Sequence, residues 1–196
     1  MKICIAQPEY SVDYNRSDEL FEKQLELFAQ CDDSMDIIVF PESCDIPCLA
    51  KTKIAAENSA KKYNKRLLEV ASATAERCHA LLFLNARSET EKGLRNTTYA
   101  FDRNGAVVGM YHKQHLTPGE VSLMQLDSDY SFEFSEPTVM EIEGIRFGFL
   151  VCYDAYFFKC CLQSLLCAKV LRFLRTCCCI HSTQMILRRI FVRIQE

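Results

Sequence analysis

The sequence predicts an α/β fold, a mixed β-sheet with helices packed on it. Apolar strand signals alternate with amphipathic helix signals over the first 84 residues, and two hairpin signals follow, each turning at a glycine. Hydrophobic residues at 49% and charged residues at 25% of 196 are ordinary globular values, enough for a sizeable core.

The elements follow in order. "KICIAQ" reads as a strand. Ser17 is expected to cap a helix reaching about Cys31, with Asp18 and Glu19 in its first turn and Phe21, Leu25 and Phe28 on one face. "DIIVF" (36–40) is a strand of the fully buried kind, ended by Pro41. From Asn58 to Cys78, apolar residues such as Ala60, Tyr63, Leu67 and Val70 recur every three or four positions, which predicts a long amphipathic helix. "ALLFL" (80–84) is the third strand. "NTTYAFD" and "AVVGMYH" flank Asn104-Gly105, expected to supply the positive φ angles of a tight turn. "TVMEIEGIRFGFLV" is a second hairpin, turning at Glu143-Gly144 and ending on Cys152.

Several function classes find no support. The apolar run of "MKICIAQPEY" stops at Gln7 and Pro8, short of a signal-peptide core. No stretch reaches the roughly 18 apolar residues that span a bilayer. The expectation is a soluble, cytoplasmic protein whose 12 cysteines are reduced thiols. No glycine loop cradles phosphate, so no nucleotide cofactor and no nucleic-acid partner is expected. His112 and His115 lack a matching set of ligands and read as loop residues. Cys44 and Cys48 in "CDIPC" would clip a zinc only with distant ligands, a minor alternative, and Cys177 to Cys179 with His181 lack the spacing of a tetrahedral metal site.

Three strand ends carry a reactive group: Glu42 in "IIVFPES", Lys113 in "GMYHKQHL" and Cys152 in "FLVCYD". Taken singly, Cys152 reads as an inert core thiol, Lys113 as a solvated hairpin residue and Glu42 as a cap. Taken together, a thiol, a carboxylate and an ammonium are the parts for acyl transfer: attack, proton transfer and oxyanion stabilisation.

"FPES", "YHKQHLTPGE" and "CYDAYF", in this order, resemble the signature segments of the nitrilase, or carbon–nitrogen hydrolase, superfamily. The resemblance covers about residues 1–158. It implies an α-β-β-α sandwich and a Glu–Lys–Cys catalytic set: Glu42 as general base and acid, Lys113 as oxyanion stabiliser, Cys152 as nucleophile. Glu120 matches a second glutamate found in many members, and the backbone N–H of Tyr153 matches the other oxyanion donor. The implied substrates are small amides, N-carbamoyl compounds and, less often, nitriles, cleaved through a thioester without a cofactor. For the full-length family the resemblance also implies homo-oligomers.

The pattern breaks after Phe158, where Lys159 replaces the family's usual continuation. Residues 159–196 hold seven basic side chains against one acid and six of the 12 cysteines, whereas every glycine and proline lies at or before Gly148. The chain is therefore read as the N-terminal part of a hydrolase domain (1–158) followed by an atypical Cys/Arg-rich tail (159–196), left by truncation or a reading-frame change. The sandwich is expected to be incomplete and the tail to form helix at most. An inactive, unstable fragment remains an alternative. So does a binder that uses the basic tail on an anionic membrane or acidic partner.

Overall fold

The computed structural model describes residues 1–91, 93–127 and 139–157, and the backbone of residues 173–176. Strand β1 (Ile3–Ile5) leads through a 3₁₀ turn, Tyr14–Arg16, into helix α1 (Ser17–Gln30). Then come β2 (Ile37–Val39), helix α2 (Lys53–Cys78), β3 (Leu81–Thr90), β4 (Gly93–Phe101) and β5 (Val107–His112). A short helix α3 (Pro118–Ser122) precedes β6 (Val139–Ile142), β7 (Ile145–Val151), a 3₁₀ turn over Cys152–Tyr156, and β8 (Phe173–Thr176).

The first sheet has the order β1-β2-β3-β4-β5. Its first three strands are parallel because a helix separates each pair, and β4 and β5 return antiparallel through hairpins. The second sheet, β6-β7-β8, packs on it. Helices α1 and α2 cover one face of the first sheet through Phe21, Phe28, Tyr63 and Leu67 against Ile38, Phe40, Leu82 and Leu84. Alternate residues of the same strands, Ile37, Val39, Leu81 and Phe83, face the second sheet. There Phe83 meets Phe147 and Phe149 with ring centroids 5.0 and 5.5 Å away, joining the sheets by tilted aromatic contacts. The described layers are thus α-β-β, in keeping with the nitrilase-type sandwich.

The structure differs from the sequence reading at several ends. Ser17 is the first residue of α1 rather than its cap, because Asp13 caps the preceding 3₁₀ turn and the Ser17 hydroxyl donates to Tyr14 O. Helix α2 starts at Lys53, not Asn58, because Thr52 accepts the Ala55 N–H. Strand β3 continues to Thr90 through polar residues that pair with β4. In the β4–β5 turn only Gly105 has positive φ, 76°. Asp102 replaces a second left-handed residue by accepting the N–H groups of Asn104 and Ala106, both at 2.9 Å. The second hairpin turns as expected, with Glu143 and Gly144 at φ 52° and 74°.

The expectation of helix at most in the tail fails at Phe173–Thr176, which pairs parallel with β7. The remaining tail residues lie outside the described ones. Among the described residues no helix is long and apolar enough to cross a membrane.

Candidate active site

Glu42 lies three residues past β2, in a turn fixed by its neighbours. Phe40 extends the parallel ladder by donating to Phe83 O at 2.9 Å, and Pro41 then ends it. Ser43 takes φ 68°, unusual for a residue with a Cβ. Asn85 on β3 holds that conformation: its Oδ1 accepts the Ser43 N–H at 2.8 Å, and its backbone carbonyl accepts Cys44 N–H at 3.0 Å.

Lys113 follows the last residue of β5 and stays in the ladder, donating its backbone N–H to Asn96 O at 2.9 Å. Far from being solvated, its side chain is 1% exposed. Nζ lies 2.8 Å from Glu42 Oε1 and 2.7 Å from Glu120 Oε2. Glu120 is held there by a reciprocal cap on α3: its N–H donates to Thr117 Oγ1 at 3.2 Å, and its Oε2 accepts Thr117 N–H at 2.8 Å. Asn96 on β4 ties the carboxylates together, its Nδ2 donating to Glu42 Oε1 at 2.7 Å and to Glu120 Oε1 at 2.9 Å.

Burial alone lowers the pKa of Lys113, but the charges of Glu42 and Glu120 and their hydrogen bonds outweigh it and hold it above the usual lysine value. Burial likewise pushes Glu120 up. The Lys113 charge, with hydrogen bonds from Lys113, Thr117 and Asn96, overrides this and keeps its pKa below the ordinary value. The ammonium is therefore a fixed positive charge in a buried setting, where charge acts most strongly.

Cys152 begins the 3₁₀ turn directly after β7, with φ 48°. A strand, a residue in the left-handed region and a short helix lift a side chain out of the sheet, as in a nucleophile elbow. Such a conformation costs on the order of 1–3 kcal/mol in a residue with a Cβ, so its surroundings must hold it. Asp154, 0% exposed, does so. Its Oδ2 accepts Val151 N–H at 3.1 Å and the Tyr111 hydroxyl at 2.8 Å. Its Oδ1 accepts Gln114 N–H at 3.1 Å, His115 N–H at 2.7 Å and His115 Nδ1–H at 3.2 Å. The first pair comes from the strand before Cys152 and from β5, the second group from the loop after Lys113. One carboxylate thus ties two strand ends together. Tyr111 also stacks on Phe149 of β7 at 5.7 Å.

Of the residues singled out in the sequence, Glu42, Lys113 and Glu120 form one hydrogen-bonded cluster. Cys152 and Tyr153 sit in the turn anchored by Asp154. The Tyr153 N–H lies in the first turn of that 3₁₀ segment, among the donors that a helix start leaves without an internal acceptor. His112 Nδ1 lies 2.8 Å from Thr97 Oγ1, at the end of β5 rather than in a loop, and His115 stacks on Phe157 at 3.7 Å. Cys44 Sγ donates to Pro41 O at 3.1 Å. Among the described residues no three His, Cys, Asp or Glu side chains gather as metal ligands. Sequence reasoning missed Asn85, Asn96 and the anchoring role of Asp154. The only signal was an acid two residues after the cysteine.

The profile of the carbon-nitrogen hydrolase family matches residues 2–165, seven residues beyond the reach of the motifs. The chain belongs to that family. An amidase from Nesterenkonia sp. superposes with a TM-score of 0.64 at 18% identity, covering 90% of this chain and 64% of that one. A glutamate-to-glutamine variant of the Nesterenkonia sp. AN1 amidase carries the product of Michael addition of acrylamide at its active-site cysteine. It superposes with a TM-score of 0.63 at 15% identity, covering 90% of this chain and 66% of that one. The glutamine-dependent NAD+ synthetase from Acinetobacter baumannii superposes at 0.62 with 20% identity, over 87% of this chain and 31% of that chain. At these identities the likeness is one of fold. The chain spans just under two thirds of the length of the amidases. Among curated proteins, none matches the sequence.

Proposed function

We propose that the chain carries the catalytic half of a hydrolase for small, non-peptide amides, using Cys152, Glu42 and Lys113. The observation that carries this reading is the buried Lys113 ammonium, held between Glu42 and Glu120 at 2.8 and 2.7 Å. A surface ion pair has no need of such burial; an oxyanion stabiliser does.

The steps follow from the groups present. Glu42 takes the proton of the Cys152 thiol as sulfur bonds to the amide carbon. The carbonyl electron pair moves to oxygen, where Lys113 and the Tyr153 N–H bear the charge. The tetrahedral species collapses, Glu42 returns its proton to the departing nitrogen, and ammonia or an amine leaves a thioester on Cys152. Water then attacks that thioester with Glu42 again as base, releasing the carboxylic acid and restoring the thiol. Glu120 keeps Lys113 charged and in place.

N-carbamoyl compounds and nitriles fit the same chemistry, as do a reducing, cytoplasmic setting for the thiol and self-association of the domain. On this reading residues 1–158 form the hydrolase part and 159–196 a basic tail, of which Phe173–Thr176 pairs with β7.

Ammonia release from short aliphatic amides such as butyramide, from N-carbamoyl amino acids and from nitriles tests the proposal with the purified 196-residue chain. Thiol-dependent release that Cys152→Ala abolishes supports it. A folded chain that releases nothing from any of them favours the inactive relative. Salt-sensitive adhesion to anionic vesicles, without ammonia release, favours the basic-tail binder.

A further inference from the structure

The two buried amides beside the acid cluster have orientations that can be read without ambiguity. Ser43 N–H is a backbone donor, so the Asn85 atom facing it at 2.8 Å must be Oδ1. Asn85 Nδ2 then faces Asn96 Oδ1 at 2.8 Å and Thr98 Oγ1 at 3.1 Å. This turns Asn96 Nδ2 toward the carboxylates, where it reaches Glu42 Oε1 and Glu120 Oε1 at 2.7 and 2.9 Å. Asn85 and Asn96 are 1% and 0% exposed, so water does not compete for these bonds. The path starts at the residue after Glu42 and returns to Glu42, a closed ring spanning β3, β4 and the turn.

The two oxygens of Glu42 are consequently unlike. Oε1 accepts from both Lys113 and Asn96, at 2.8 and 2.7 Å. Oε2 takes no hydrogen bond from a described residue. Donors to a carboxylate oxygen stabilise its charge there and make that oxygen the poorer base. Without Asn96, rotation about the last side-chain bond could present either oxygen to Lys113, because that torsion is soft.

We infer that Asn96 is a positioning residue, oriented by Asn85, that locks Glu42 so that Oε2 is the oxygen exchanging the catalytic proton. This rests on the reading of Glu42 as general base and adds the atom that acts and the groups that select it. The titratable groups bonded into the Glu42 cluster are Lys113 at the end of β5 and Glu120 on α3, and Asn96 is the neutral group that bridges the two carboxylates.

The pH dependence of iodoacetamide alkylation at Cys152, followed by peptide mass mapping on the full chain, tests this. Asn96→Asp adds a third carboxylate beside Glu42; Asn96→Ser removes the shared donor without adding charge. Both move the rising limb of the Cys152 profile upward by about one pH unit, roughly a tenfold slower reaction below it. Thr98→Val removes an acceptor from the same Asn85 amide, reaches neither carboxylate, and leaves the limb in place. If Asn96 were only structural, its variants would lower the rate equally at every pH; an unmoved limb in both overturns the inference. Should Asn96→Asp not fold, Asn96→Ser alone decides. In wild type, Cys152 reacting no faster than the buried thiols overturns the reading of the site itself, a result distinct from an unmoved limb.

Discussion

Asp154 accepts the backbone N–H of His115 at 2.7 Å, and this bond joins the turn of Cys152 to the loop that follows Lys113. The same carboxylate takes the Val151 N–H on the cysteine side, at 3.1 Å. The turn of Cys152 and the loop after Lys113 are thus set by one buried carboxylate.

Asp154→Asn places an NH₂ group where at least one N–H or O–H donor now points. The variant is expected to lose about 3 kcal/mol of stability, the usual effect of breaking a buried charged network. Denaturant unfolding measures it. A loss below about 0.5 kcal/mol, the scale of ordinary surface substitutions, contradicts the anchoring role.

Lys113→Met keeps the length of the side chain and removes the charge. Turnover is expected to fall by about 10²–10³ while substrate affinity changes little, because the oxyanion exists only after attack. Glu42→Gln is expected to lose about 10²–10⁴ through proton transfer. Steady-state kinetics against an active amide separates kcat from KM, and near-normal kcat in either variant removes the role assigned to that residue.

The paired charges also set the pH range of stability. Glu120 has its pKa lowered from 4.5 in the folded chain, so its contribution is present above about 4.5 and is lost as pH falls through the folded value. Lys113 has its pKa raised from 10.5, so its contribution is complete below that and is lost as pH climbs through the higher folded value. Thermal unfolding scanned with pH should therefore show a plateau between acid and alkaline declines. Glu120→Gln should flatten the acid decline; an unchanged acid limb in that variant contradicts the assignment.

Much of this was legible in the sequence, and the limits have physical causes. β2 and the core of β3 stood out because buried parallel strands are continuous apolar runs, as in Ile37–Val39 and Leu81–Leu84. The polar arm of β3 beyond Leu84 did not, since Asn85 to Thr90 are held by pairing with β4 and carry no apolar pattern. Glu42, Lys113 and Cys152 were visible because each lies just past a strand. Asn85 and Asn96 stayed hidden because their bond crosses from β3 to β4 and no local spacing encodes it. Asp154 could be seen as an acid, but its partners Tyr111, Gln114 and His115 lie 39 to 43 residues away. The strand Phe173–Thr176 was missed because its order comes from pairing with β7, a tertiary contact that propensity does not record.

The described cysteines should differ sharply in reactivity. Burial pushes the Cys31 thiol up to about 12, with Cys4 and Cys78 adding to the effect, so little thiolate exists there near neutrality. Cys44, Cys48 and Cys78 are also buried, whereas Cys152 is half-buried in a turn. Limited iodoacetamide treatment of the native chain is expected to modify Cys152 before these four. Earlier labelling of any of them in a folded sample contradicts the elbow as the reactive site.

The central claim is that Cys152 carries the acyl group, and acid quenching during turnover of an active amide tests it most directly. Peptide mass mapping of the quenched chain is expected to find the acyl mass on the peptide containing Cys152, as a thioester that hydroxylamine removes. Cys152→Ala should give neither the adduct nor ammonia. Ammonia released while Cys152 stays unmodified in the quenched wild type, and still released by Cys152→Ala, would contradict the account.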